Sequence, residues 1–162
     1  VAFKSYVNTP KNDAHQAAMD AIKAEIAAEM DFELLDREVA YALPADELGP
    51  YMEKSAVVNE QAEARIGEVM DAAPPVDVAD FVDHIDYLVN LIGIEHVGIS
   101  SDFDGGGGVY GWNSAAETFN VTLELVRRGY TEDEIGMMWS GNLLRVLDDV
   151  QRIAAEIQAE EG

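Results

Sequence analysis

Apolar positions along the chain fall into two kinds of run. Two short ones have strand character: Val1-Ala2-Phe3-Lys4-Ser5-Tyr6-Val7, and Glu95 to Ser101, which ends on Asp102-Phe103-Asp104 and the glycines Gly105 to Gly108. The remainder repeats with helical spacing. Ala17, Ala21, Ala24 and Ala28, with Ile22 and Ile26, predict a peripheral helix from Asn12 or Asp13 to about Met30. Leu34, Leu35, Val39 and Tyr41 predict another from Phe32 to about Leu43, stopped by Pro44, whose nitrogen carries no hydrogen to donate. A polar helical region over Asp46 to Met70 follows, with a break expected near Gly49-Pro50. Beyond Pro74-Pro75, Asp77 caps an amphipathic helix over 78–92, with Phe81, Ile85, Leu88 and Ile92 on one face and Gly93 at its end. Three more helices are expected. One runs from Asn113 or Ser114 to Arg128, and one from the capping box Thr131-Glu132-Asp133-Glu134 to Trp139. The last, after a new cap at Ser140-Gly141-Asn142, runs from Leu143 to about Ala159 with Leu144, Leu147, Val150, Ile153 and Ile157 at core spacing.

A parallel strand is covered by neighbours on both sides, so two strands cannot close a sheet by themselves. A complete barrel of eight β/α units takes about 250 residues. The expected architecture is therefore α/β, the C-terminal part of a (β/α)8 TIM-type barrel with extra helices. On this reading 1–162 is a single partial domain. The last two barrel strands lie at about 1–7 and 95–102, a helical insertion occupies 12–72, and C-terminal helices occupy 114–159. The start at Val1, inside an apparent strand, points to a longer polypeptide.

Charge narrows the partners. A formal net charge of −22 repels nucleic-acid phosphates and anionic membrane surfaces, so neither is expected. No apolar run approaches the roughly 20 residues of a membrane span. The absence of cysteine excludes disulfides and thiolate metal sites without identifying a compartment.

The candidate chemistry gathers where the second strand ends, because barrels present functional groups at the C-terminal ends of their strands. In an extended segment Asp102 and Asp104 alternate, one toward the mouth and one toward the supporting shell. A calcium loop starting at Asp102 fails, since its fifth position is Gly106 and its twelfth is Asn113. A phosphate-binding loop fails for want of Gly-Lys-Ser/Thr after the glycines. His84-Ile85-Asp86 copies the His-x-Asp pair of metal-dependent hydrolases but sits mid-helix, where a surface or interhelix role is expected. His96 lies at the start of its strand, on the stability face of a barrel, and His15 is expected on an exposed helix surface. Three scattered histidines do not encode a complete zinc site.

Four segments are familiar in order and spacing: Asp83-His84-Ile85-Asp86-Tyr87, His96 to Gly105, Arg127-Arg128-Gly129-Tyr130-Thr131-Glu132-Asp133-Glu134-Ile135, and Gly141-Asn142-Leu143-Leu144-Arg145-Val146. Together they resemble the C-terminal part of the membrane (renal-type) dipeptidase family, peptidase family M19. The resemblance is strong from about Asp77 to Val150 and weaker at 1–7. It implies a metal-dependent hydrolase barrel with two zinc ions that hydrolyses dipeptides or related amides. The family's zinc ligands and its substrate-clamping arginine lie upstream of the matched region, so the resemblance implies that no metal ligand is in this chain. Asp102 alone carries over. The resemblance implies that it takes a proton from the metal-bound water attacking the peptide carbonyl and passes it to the leaving amine. It could also orient the substrate's amino group. Tyr110 and Trp112, after the glycines, are candidate walls of the substrate pocket, with ordinary packing an equal alternative. Ser100 departs from the commoner glycine, and the acidic helical insertion leaves substrate preference open.

The implied partners are a dipeptide or small amide and the remainder of the barrel, with a homodimer left open. The isolated chain is expected to be inactive. The alternatives are a non-catalytic relative acting in binding or maturation, and a different amidohydrolase reaction on the same metal centre.

Overall fold

The computed structural model describes residues 2–161. It forms two compact units, one of Pro10–Pro75 and one made from the residues up to Thr9 together with those from Val76 onward. Each unit has its own apolar cluster, and that is what makes them separate.

The first unit is helical. It is built from α2 (Thr9–Glu29), α3 (Arg37–Tyr41) and α4 (Ala45–Ala64), with α1 (Lys4–Val7) preceding it in the other unit. Met19, Ile22, Ile26 and Ala27 of α2 are buried with Val58 and Ala62 of α4. Two expectations change here. The helix expected over Phe32 to Leu43 forms only at α3, because tertiary contacts hold the residues before it. Phe32 packs on Tyr51 at 5.3 Å between ring centres, and the Leu35 amide donates to the Tyr51 hydroxyl at 3.1 Å. The break expected at Gly49-Pro50 is absent, since α4 runs through Pro50. Proline removes one hydrogen bond there, in an exposed part of the helix where water can take the carbonyl left over.

The second unit contains α5 (Val78–Ile92), α6 (Thr118–Arg127), α7 (Glu132–Gly136) and α8 (Asn142–Glu161). The capping box expected at Thr131 forms, and the cap expected at Asp77 is also a full capping box. Asp77 accepts from the Ala79 and Asp80 amides while Asp80 reaches back to the Asp77 amide, and Thr131 and Glu134 do the same at α7. Phe81, Val82 and Ile85 of α5 are buried with Val97, Val109, Trp112, Val121, Leu125, Ile135 and Met138, whereas Ile92, expected on that face, is exposed. Gly93 ends α5 with φ +89°, a conformation costly for any side chain.

The α/β expectation fares differently in its two halves. The helices are there, but no strand ladder forms among the described residues. Within the predicted strand 1–7, Lys4–Val7 is one helical turn, and position 1 lies outside the described residues. Within the predicted strand 95–102, Ile94–His96 is a 3-10 turn, and 97–101 is irregular. The two segments are nonetheless neighbours: the Ala2 amide donates to the Ser100 carbonyl at 3.2 Å, and the Gly108 amide donates to the Ala2 carbonyl at 2.8 Å. A parallel bridge joins Phe3 to Gly108. Two segments without further strands beside them cannot extend such pairs into a ladder.

The expected re-cap at Ser140-Gly141-Asn142 is also replaced. A π-turn over Met137–Gly141 carries the chain from α7 into α8 without a break. Asn142, instead of capping, is buried and donates its side-chain amide to the carbonyls of Ile94 (2.8 Å) and Val97 (2.9 Å). The core positions expected on α8 face outward. Leu143, Leu144, Val146, Leu147, Val150, Ile153 and Ile157 are all 46–74% exposed. Asn142→Ala should lower the stability of this unit by about 1–3 kcal/mol in urea unfolding, because it removes the side-chain donor shared by two inward carbonyls and leaves Ile94 with only the Val97 amide.

Candidate functional site

Asp102 is exposed at the end of 97–101. The segment before it is tied on several sides. Asn142 holds the carbonyls of Ile94 and Val97, the Ile99 amide donates to the Met138 carbonyl at 3.0 Å, and Arg145 donates to the Glu95 carbonyl at 2.8 Å. Backbone reversal begins at Asp102 itself. Its φ is +63°, as is that of Asp104, so the two do not alternate along an extended strand as expected. The cause is the glycine loop: the amides of Gly105 (3.1 Å) and Gly107 (2.9 Å) both donate to the Asp102 carbonyl. Aspartate tolerates this left-handed conformation better than most residues, at a cost that surrounding contacts must offset.

Phe103 supplies the main anchor. Its ring meets Trp112 edge-on at 5.4 Å, and Trp112 also packs on Phe81 (5.1 Å) and Trp139 (6.1 Å). Trp112 is 2% exposed, and its indole nitrogen donates to the Thr118 hydroxyl at 3.2 Å. It is therefore a core residue, which matches the ordinary-packing alternative for it. The aromatic cluster needed its volume, and Thr118 gave its N–H a partner. Tyr110 is exposed and lines a cleft of about 350 Å³ with Asp77, Val78, Asn120 and Arg127. Asp102 is not among that cleft's lining residues.

Another cleft, about 550 Å³, lies elsewhere in this unit, between Asp86, Asn90, Arg128, Tyr130 and Glu134. Its polar groups are already engaged with one another. Arg128 donates to Asp83, Asp86 and Glu124 and to the Ala79 carbonyl, and Tyr130 donates to Asp86 at 2.6 Å. Partial burial pulls the Arg128 pKa down, but its carboxylate hydrogen bonds outweigh that and leave it raised. Burial, then the bond to Asp86, pushes the Tyr130 hydroxyl above the usual tyrosine range. A surface or interhelix role is what the sequence suggests for Asp86, whereas Arg127-Arg128 near a helix end points only to helix-dipole stabilisation.

The histidines stay apart. His84 is half-buried on α5 and His96 is exposed. His15, expected to be exposed, is half-buried, with Nδ1 2.8 Å from the Ala73 carbonyl. A carbonyl only accepts, so Nδ1 carries the hydrogen. Among the described residues no three His, Asp or Glu side chains cluster so as to hold a metal ion. No helix among them is long and apolar enough to cross a membrane.

Comparison with known proteins follows the same region. The family model described as membrane dipeptidase (peptidase family M19) matches residues 38–161. Dipeptidase aclJ of Aspergillus oryzae is 41% identical over 86 residues, 52% of this chain and 20% of that protein. Dipeptidase 3 of Rattus norvegicus is 35% identical over 86 residues, 52% of this chain and 18% of that protein. The crystal structure of the probable dipeptidase PvdM from Pseudomonas aeruginosa superposes with a TM-score of 0.52 and 32% identity, covering 93% of this chain and 36% of that one. The alignments thus span about one fifth of the curated relatives' length and about a third of the PvdM chain.

Two outcomes are expected from this geometry. Phe103→Ala should speed hydrogen exchange at the Gly105 and Gly107 amides, measured by NMR, since the loop then loses its aromatic anchor. Tyr130→Phe should cost about 1 kcal/mol at neutral pH. A raised folded-state pKa stabilises fully below the unfolded tyrosine value of about 10 and is lost as pH rises further, so the difference between variant and wild type should shrink above that pH in pH-dependent unfolding.

Proposed function

Since the chain belongs to the membrane dipeptidase family, peptidase family M19, we propose that it forms the C-terminal part of a (β/α)8 dipeptidase barrel and supplies its proton-handling residue, Asp102. The observation that carries this reading is the exposed Asp102, held by a closed glycine loop within the family-matched region. The apolar row on α8 is consistent with a face that the rest of a barrel would cover. The substrate would be a dipeptide or a related small amide, as the names of the relatives suggest.

The family resemblance implies two zinc ions, but the described residues do not suit them: their histidines are scattered and their carboxylates form no ligand cluster. On this reading the ligands come from outside this chain. What the chain itself contributes is a carboxylate. As water attacks the amide carbonyl, Asp102 accepts the proton that water loses. When the C–N bond breaks, the same proton passes to the leaving nitrogen, so the immediate products are a carboxylic acid and a neutral amine; the acid then gives up its proton and the amine takes one up in neutral solution. The exposure of Asp102 suits this exchange, since a proton carrier must reach the reacting atoms.

Asp102→Asn in the full-length gene product is the test. It should lower kcat for dipeptide hydrolysis by about 10²–10⁴-fold. Zinc content should be unchanged, because Asp102 is not proposed as a ligand. A variant with normal kcat would rule out the assigned role.

A further inference from the structure

The glycine loop does more than reverse the chain. The φ of Gly105 lies outside the left-handed region, so φ does not demand glycine there. Space is what requires glycine. A Cβ at position 105 would lie 2.8–2.9 Å from the carboxyl carbon and both carboxylate oxygens of Asp102, where ordinary contacts begin at 3.4 Å. At Gly107 the obstacle is different: a Cβ there would overlap the Ser101 carbonyl oxygen, which is backbone and cannot step aside. Position 107 is thus needed for the loop to close. Position 105 is needed for the carboxylate to occupy its place.

We propose that Gly105 is a positioning residue for Asp102: its missing side chain defines where the carboxylate sits, while its amide, with that of Gly107, fixes the backbone beneath. This rests on the reading of Asp102 as the proton carrier. Proton transfer requires hydrogen-bond reach, and displacements of a fraction of an ångström are felt directly in rate. The carboxylate is the free end of a side chain, so Gly105→Ala should move it at little cost to the fold. The substitution separates placement from stability, which Gly107→Ala would not.

The test uses the full-length gene product loaded with zinc. Gly105→Ala should keep the melting temperature and zinc content, hold KM within about twofold, and lower kcat by about tenfold or more. In an Asp102→Asn background it should cause no further loss, since the carboxylate it displaces is gone. A crystal structure of Gly105→Ala should show the residue-102 carboxylate shifted over an unchanged 102–107 backbone. Normal kcat in Gly105→Ala, an equal further loss in the Asp102→Asn background, an unmoved carboxylate, or failure of Gly105→Ala to fold would each overturn the proposal. Full activity in Asp102→Asn alone would overturn the reading of Asp102 instead, so the two failures are distinguishable.

Discussion

The unit that carries Asp102 depends on the burial of Trp112. Its ring touches Phe81 on α5, Phe103 in the glycine loop and Trp139 in the π-turn before α8, so one side chain joins three parts of the chain far apart in sequence. Removing so large a buried aromatic costs about 3–5 kcal/mol in typical cores, a large part of what holds a small domain together. The polar edge of the indole is satisfied by Thr118, so the burial carries no unpaired donor.

From that anchor the loop is built outward. Phe103 enters the aromatic cluster, and the glycines that follow it fold back onto Asp102. The positive φ of Asp102 is held by two amides on its carbonyl, and Asn142 and Arg145 at the start of α8 steady the segment leading into it. Rigid support beneath an exposed carboxylate is the arrangement a proton carrier needs, since reach without order loses the advantage of placement. The cleft around Arg128 and Tyr130 has the opposite character. Its charges answer one another, which ties α5 to α6 and leaves little to offer a ligand.

Local signals were legible where a few residues decide the outcome. Asp77 and Thr131 start their helices as their side chains require, and Asp102 stands out because two carboxylates and a glycine run interrupt an apolar segment. Tertiary preferences were not legible. Tyr51 draws Leu35 away from a helical bond, Asn142 serves two distant carbonyls instead of a cap, and Trp112 belongs to a core that only the folded chain assembles. The helical spacing of Leu143, Leu147, Val150 and Ile157 reveals an apolar face but cannot say what covers it. The predicted strands share that limit, since strand character in sequence becomes a strand only beside a partner, and here the pairing stops at single bridges.

The proposed account therefore divides a dipeptidase site by chain region: the proton-handling carboxylate and its glycine support lie in these residues, and the metal ligands lie outside them. The most direct test is zinc content and dipeptide turnover, measured side by side for this chain alone and for the full-length gene product. The account predicts both in the full-length protein and neither in the isolated chain. Stoichiometric zinc with turnover in the isolated chain would contradict it.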